Sequence, residues 1–248
     1  MNTAISFNDV TITFGGNTVV SGVSFDVKAD ELTVLVGRSG SGKSTLLRAI
    51  NRLNECFEGC TTTGRIMVRL QDTMIEVNSS RMSPEHLRSR VGMVFQTPNV
   101  LPISIERNLL LPQALVCGAS ERRAREKMEM VLEDVGLFNE VKDRLNQPAK
   151  NLSGGQQQRL CLARTLALEP EILLLDEPTA SVDYKSSELI EQLLLQLAKK
   201  LPVLVVSHSL KQTKTLADRA LLIREGKLAG SWSTSDNTSL DELLYNEF

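Results

Sequence analysis

A chain of 248 residues with 42% hydrophobic content can bury a sizeable core as one large or two modest domains, and its composition excludes a disordered or repetitive polymer. A net charge of −2 and a pI near 5.8 give no general attraction for nucleic acid or anionic lipid, so no nucleic acid partner is expected. No apolar run approaches the roughly 20 residues of a spanning helix, and Met1-Asn2-Thr3 lacks a secretory pattern, so the expected chain is cytosolic.

Residues 1–30 alternate apolar and polar positions in short runs broken by Gly15-Gly16-Asn17, which predicts antiparallel strands and hairpins. Phe14, just before the turn, has two open uses: stacking on a nucleotide base or packing in the core. The apolar run Leu32 to Val36 then meets Gly37-Arg38-Ser39-Gly40-Ser41-Gly42-Lys43-Ser44-Thr45, and an apolar-periodic segment begins at Leu46. Strand, glycine loop and helix in that order form a phosphate cradle. Glycines let successive N–H groups turn inward, the new helix presents its positive end, Lys43 reaches the outer phosphates and the Ser44 hydroxyl ligates Mg²⁺.

Cys56 and Cys60 form a C-x₃-C pair with no second ligand pair, and Cys117 and Cys161 are expected in apolar helical surroundings, so all four read as reduced thiols. A β-like patch from Gly64 to Val77 can complete the N-terminal sheet. Ser83-Pro84-Glu85 predicts a capped helix running toward Arg90, followed by a strand over Val91 to Phe95 that Gln96 ends. Ala124, Met128, Val131, Leu132 and Val135 fall at helical spacing, and residues 97–153 read as a helical insert. Leu152-Ser153-Gly154-Gly155-Gln156 opens a long helix. Ile172 to Leu175 reads as a buried parallel strand ended by Asp176-Glu177-Pro178; a helix follows, with Leu189, Ile190, Leu193, Leu194 and Leu197 on one stripe. Pro202 punctuates it, and a last apolar run, Val203 to Val206, ends at Ser207-His208.

Four strands therefore end in residues able to act on a phosphate: the glycine loop, Gln96, Asp176-Glu177 and His208. Open α/β sheets bind ligands beyond the carboxyl ends of their strands, so the four ends are expected to meet at one nucleotide. Asp176 holds Mg²⁺ through its hydration shell, Glu177 orients or deprotonates the attacking water, Gln96 touches metal and water, and His208 donates to the γ-phosphate.

Taken together, these motifs resemble the nucleotide-binding subunit of ATP-binding-cassette (ABC) transporters. The resemblance implies that Ser153, Gly154, Gly155 and Gln156 bind the ATP held by a second copy of the chain, and that Asp183, in Ser181-Val182-Asp183, lies at the interface of that head-to-tail pair. Leu46 to Asn54, Val91 to Asn99 and Gln156 to Cys161 are similar to bacterial phosphate-import ATPases. Phe14 stands where a tyrosine is common, Val182 where leucine is usual, and Ser207 and Ser209 flank His208. The acidic tail, Asp241 to Phe248, is also unlike that subfamily.

The implied fold is α/β, a P-loop NTPase (RecA-like) core with an N-terminal antiparallel β subdomain and an α-helical subdomain insert. Within one domain, 1–30 and 61–77 form the β part, 31–60, 78–96 and 154–230 the core, 97–153 the helical part and 231–248 a tail. The implied activity is hydrolysis of ATP, with Mg²⁺, on the cytoplasmic face of the inner membrane. Partners are transmembrane permease subunits, with an external solute-binding protein beyond them, and Val100, Leu101 and Ile103 either line the permease groove or pack inside the insert. A soluble non-transport ABC ATPase is the alternative, and a P-loop kinase would leave Leu152 to Gln156 without a purpose.

Overall fold

The computed structural model describes residues 3–80, 82–180, 182–236 and 240–241. Ser181 and residues 242–248 of the expected tail lie outside that set.

Strands β1 (Thr3–Phe14) and β2 (Asn17–Lys28) pair antiparallel, with Phe14 opposite Asn17. Gly15 and Gly16 make the two-residue turn, both at positive φ (54° and 85°), the geometry that a tight hairpin demands. The strand β4 (Cys60–Leu70) pairs with the other edge of β1, and β5 (Thr73–Glu76) with β4, so the small sheet has the order β2-β1-β4-β5. Its inward alternation buries Ile5, Phe7, Val10 and Ile12, and the Phe7 ring stacks on Phe25 with centroids 4.5 Å apart.

The large sheet contains β3 (Leu32–Val36), β6 (Val91–Val94), β7 (Ile172–Asp176), β8 (Val203–Ser207), β9 (Arg219–Arg224) and β10 (Lys227–Ser233), in the order β10-β9-β3-β8-β7-β6. Every pairing is parallel except that of the edge strand β10 with β9. All five residues of β3, β7 and β8 are buried because apolar layers cover both faces. On one face Leu35, Leu174, Leu204 and Val206 pack with Leu46, Leu47 and Ile50 of α1 (Lys43–Ile50) and with the small sheet. On the other, Val34, Val36, Leu173 and Leu175 meet α6 (Gly154–Leu166) and α7 (Tyr184–Leu197).

Short helix α2 (Pro84–Arg90) starts as its cap predicts, with Ser83 accepting from the His86 N–H. Residues 97–153 contain α3 (Ile105–Cys117), α4 (Glu121–Asp134) and α5 (Phe138–Val141), besides 3₁₀ turns. Helix α8 (Leu210–Leu216) joins β8 to β9. Among the described residues no helix is long and apolar enough to cross a membrane.

Several details depart from the sequence expectation. Leu189 is exposed at the rim of the α7 stripe, whereas Ile190, Leu193, Leu194 and Leu197 are buried. Cys117, the last residue of α3, is exposed where that helix projects past the core, although Cys161 is buried in α6 as expected. β10 runs to Ser233, into the segment read as tail. Val100 takes the second of its two expected uses and packs against the core, and the large exposed apolar residues of the helical region are instead Leu111, Leu115 and Val116 on α3 and Met130 on α4.

Candidate active site

The loop between β3 and α1 is fixed by what its glycines avoid. Gly37 has φ 143°, and a Cβ there would lie 2.1 Å from the Ile223 carbonyl oxygen. Only glycine fits. Gly42, at φ 101°, caps α1, so Lys43 begins the helix with its side chain folded over the loop. Its ammonium donates to the Gly37 and Arg38 carbonyls, each at 2.7 Å, and reaches Ser41 Oγ at 3.5 Å. Burial lowers the Lys43 pKa, and the charges of Glu177 and Asp176 oppose that shift.

Beneath the loop, Ser44 Oγ donates to Asp176 Oδ1 at 2.7 Å. Arg48, one helical turn after Ser44, approaches Asp176 Oδ2 at 3.5 Å. Burial raises the Asp176 pKa, against the Ser44 hydrogen bond and the Arg48 charge. A hydroxyl and a carboxylate converging in this way are hard oxygen donors suited to Mg²⁺.

A cavity of about 500 Å³ opens above them, lined by Ser39, Gly40, Gly42, Lys43, Ser44 and Thr45 of the loop, with Val19, Gln96, Glu177 and His208. The strand ends expected to meet do so. Glu177 Oε2 accepts from Gln96 Nε2 at 2.7 Å and lies 2.9 Å from His208 Nδ1. The Glu177 backbone sits at φ 47°, a left-handed conformation unusual for glutamate, held by its N–H bond to the Val206 carbonyl at 3.0 Å. Phe14 does not line the cavity; its half-buried ring packs edge-on against Phe57, with centroids 6.2 Å apart.

The second glycine motif lies elsewhere. Ser153 caps α6 in a capping box: its Oγ accepts from the Gln156 N–H at 3.3 Å, and Gln156 Oε1 accepts from the Ser153 N–H at 3.0 Å. A Cβ on Gly155 would come within 2.6 Å of Ser186 Oγ and 3.1 Å of Asp183 Oδ2. Asp183 itself caps α7, and hydrogen bonds from Ser186 hold its carboxyl below the usual range. Neither Ser153 to Gln156 nor Asp183 lines the cavity at the loop. Arg48, Phe57 and Gln158, whose amide reaches the carbonyl before Gln96, are given no individual role by the sequence. Of these, only Arg48 carried a signal, its i+4 spacing from Ser44.

Residues 20–180 match the family model described as ABC transporter. Phosphate import ATP-binding protein PstB 1 of Nitrosococcus oceani is 45% identical over 226 residues, 89% of this chain and 79% of that protein. Phosphate import ATP-binding protein PstB of Cytophaga hutchinsonii is 39% identical over 90% of this chain and 88% of its own length. Among solved structures, a dimeric ATP-binding cassette in a post-hydrolysis state, bound to ADP and Pi, superposes with a TM-score of 0.78 at 28% identity, covering 94% of this chain and 99% of that one. A bacterial Atm1-family ABC exporter with ATP bound gives the same TM-score at 25% identity, covering all of this chain and 40% of the exporter. With its glycine loop, its Ser44–Asp176 pair and its capped Ser153 helix on that fold, the chain belongs to the ABC transporter family as an ATP-binding, ATP-hydrolysing subunit.

Proposed function

We propose that this chain powers phosphate import, working as two copies on the cytoplasmic face of the inner membrane against permease subunits fed by an external solute-binding protein. The names of the relatives support phosphate as the cargo. The observation that carries the catalytic part is the Glu177 carboxylate, tethered by Gln96 and His208 at the mouth of the glycine loop.

In this reading the N–H groups of Gly37 to Thr45 and the Lys43 ammonium bind the phosphates of ATP. Ser44, Gln96 and Asp176 would hold Mg²⁺, which when bound would offset phosphate charge. Glu177 orients or deprotonates the attacking water, and His208 donates to the γ-phosphate. Phe14, outside the cavity lining and edge-on to Phe57, meets the base where the nucleotide extends past the glycine loop. Ser153, Gly154, Gly155 and Gln156 close the site of the other copy, and Asp183 lines the interface between the two. A signature built away from its own cavity has its use in the partner's.

Glu177→Gln keeps the contacts but removes a base worth about 10²–10⁴-fold in rate, so the ATP-bound pair accumulates. Size measurement with Mg-ATP should give a dimer for Glu177→Gln and a monomer when Ser153→Arg is added. Equal dimerisation of the double variant overturns the shared site. Vesicles containing the permease and this chain should take up phosphate with ATP and lose that uptake with Glu177→Gln; uptake of another solute alone overturns the cargo.

A further inference from the structure

Glu140 belongs to the four-residue helix α5, yet both its carboxylate oxygens are engaged by α6. Oε2 accepts from Gln156 Nε2 at 2.7 Å, and Oε1 lies 2.9 Å from Arg159 Nη1. Arg159 is 4% exposed, donates also to the Gly136 carbonyl at 2.7 Å, and has a buried Nε without a hydrogen-bond partner among the described residues. A guanidinium so enclosed needs an anion beside it. Partial burial would raise the Glu140 pKa, but hydrogen bonds from Arg159 and Gln156 outweigh it and hold the carboxyl below its usual range.

Gln156 is the other half of the device. Its amide can point either way, because oxygen and nitrogen are nearly the same size. An ionised carboxylate only accepts, so Glu140 draws the nitrogen toward itself and leaves the oxygen facing the Ser153 N–H. That oxygen completes the capping box. The charge on Glu140 thus sets the Gln156 amide, which sets the backbone of Ser153.

The geometry points to Glu140 as a positioning residue for the signature, holding Ser153 to Gln156 in the conformation that closes on the nucleotide of a second copy of this chain. It rests on the shared-site reading above. Glu140 is not among the residues lining the cavity at the glycine loop, so its effect belongs to closure of the pair rather than to ATP binding by one chain.

The test uses the full chain carrying Glu177→Gln, with Mg-ATP, following the monomer–dimer midpoint by size and nucleotide affinity by titration. Adding Glu140→Ala should raise the midpoint roughly tenfold, as expected for loss of a hydrogen bond to a charged group, with nucleotide affinity unchanged. Glu140→Gln retains an acceptor for Gln156 but gives up the charge beside Arg159, and should recover only part of the closure. A cycle separates positioning from general support: once Gln156→Met is present, Glu140→Ala should shift the midpoint no further. Undiminished dimerisation of Glu140→Ala, a full additive loss in the cycle, or a parallel fall in nucleotide affinity overturns the inference. Should Glu140→Ala not fold, normal closure by Gln156→Met overturns it equally. If Ser153→Arg also leaves closure intact, the shared-site reading itself has failed; if Ser153→Arg blocks closure and Glu140→Ala does not, only the role of Glu140 falls.

Discussion

The Gln158 side-chain amide donates to the Phe95 carbonyl at 3.0 Å, tying the second turn of the signature helix to the residue before Gln96. Gln158 is 2% exposed, so no water stands ready to replace its amide. Gln158→Leu should cost about 0.5–1.5 kcal/mol, the net value of such a bond. Thermal unfolding checks this, with about 2–4 °C expected per kcal/mol in a chain of this size.

Lys43→Ala should weaken ATP binding by about 2–3 kcal/mol, because a charge-assisted contact to the outer phosphates is lost. The Gly37 and Arg38 carbonyls also lose their donor, so the loop itself loosens. Titration with a fluorescent ATP analogue reads the affinity; an unchanged value contradicts the cradle.

Gly155→Ala would push a methyl to 2.6 Å from Ser186 Oγ, and the neighbouring Asp183 cap leaves little room to yield. Overpacking of this kind costs about 1–3 kcal/mol. Adding Ser186→Ala removes the nearest obstructing atom and should recover part of the loss. Unfolding of both singles and the double gives the coupling between the two helix starts.

The Glu140 carboxyl, held by Arg159 and Gln156 below the ordinary glutamate range against the effect of burial, contributes stability that is present above the unfolded pKa and lost as pH falls through the lower folded value. Gln156, Arg159 and, at longer range, Lys185 are the groups acting on it. The melting-temperature gap between parent and Glu140→Gln should be constant above about pH 5.5 and shrink on acidification below 4.5. A gap independent of pH contradicts the ion pair.

Cysteines introduced at Leu111 or Leu115 should crosslink to a permease in membranes, since these residues form the exposed apolar face of α3. Crosslinks confined to β1 and β2 would place the docking surface elsewhere.

What could be read from sequence was local. The glycine loop, the cap at Ser83 and the apolar runs of β3, β7 and β8 are contiguous patterns whose physics acts within a few residues. Parallel strands with polar ends also foretold that Gln96, Glu177 and His208 would share a cavity. Glu140 had no such signature, because a lone glutamate in a charged helical stretch looks like any solvated residue until α6 is packed beside it. Leu189 misled for the converse reason: helical spacing says which face a leucine shares, but not how far around the helix the core reaches, since Ser186 and Ile190, before and after it along the helix, are both buried.

At Glu177 the backbone is held at φ 47° by the bond to Val206. Glycine and asparagine adopt that conformation more easily than glutamate, so selection for heat resistance alone would favour them there. If Glu177 acts on the attacking water as proposed, selection for turnover opposes that drift. Under the turnover role proposed for Glu177, a chain selected purely to survive heating would relax at 177 and fall silent, so the strain at this one backbone position is the part of the fold that heat selection alone would erase.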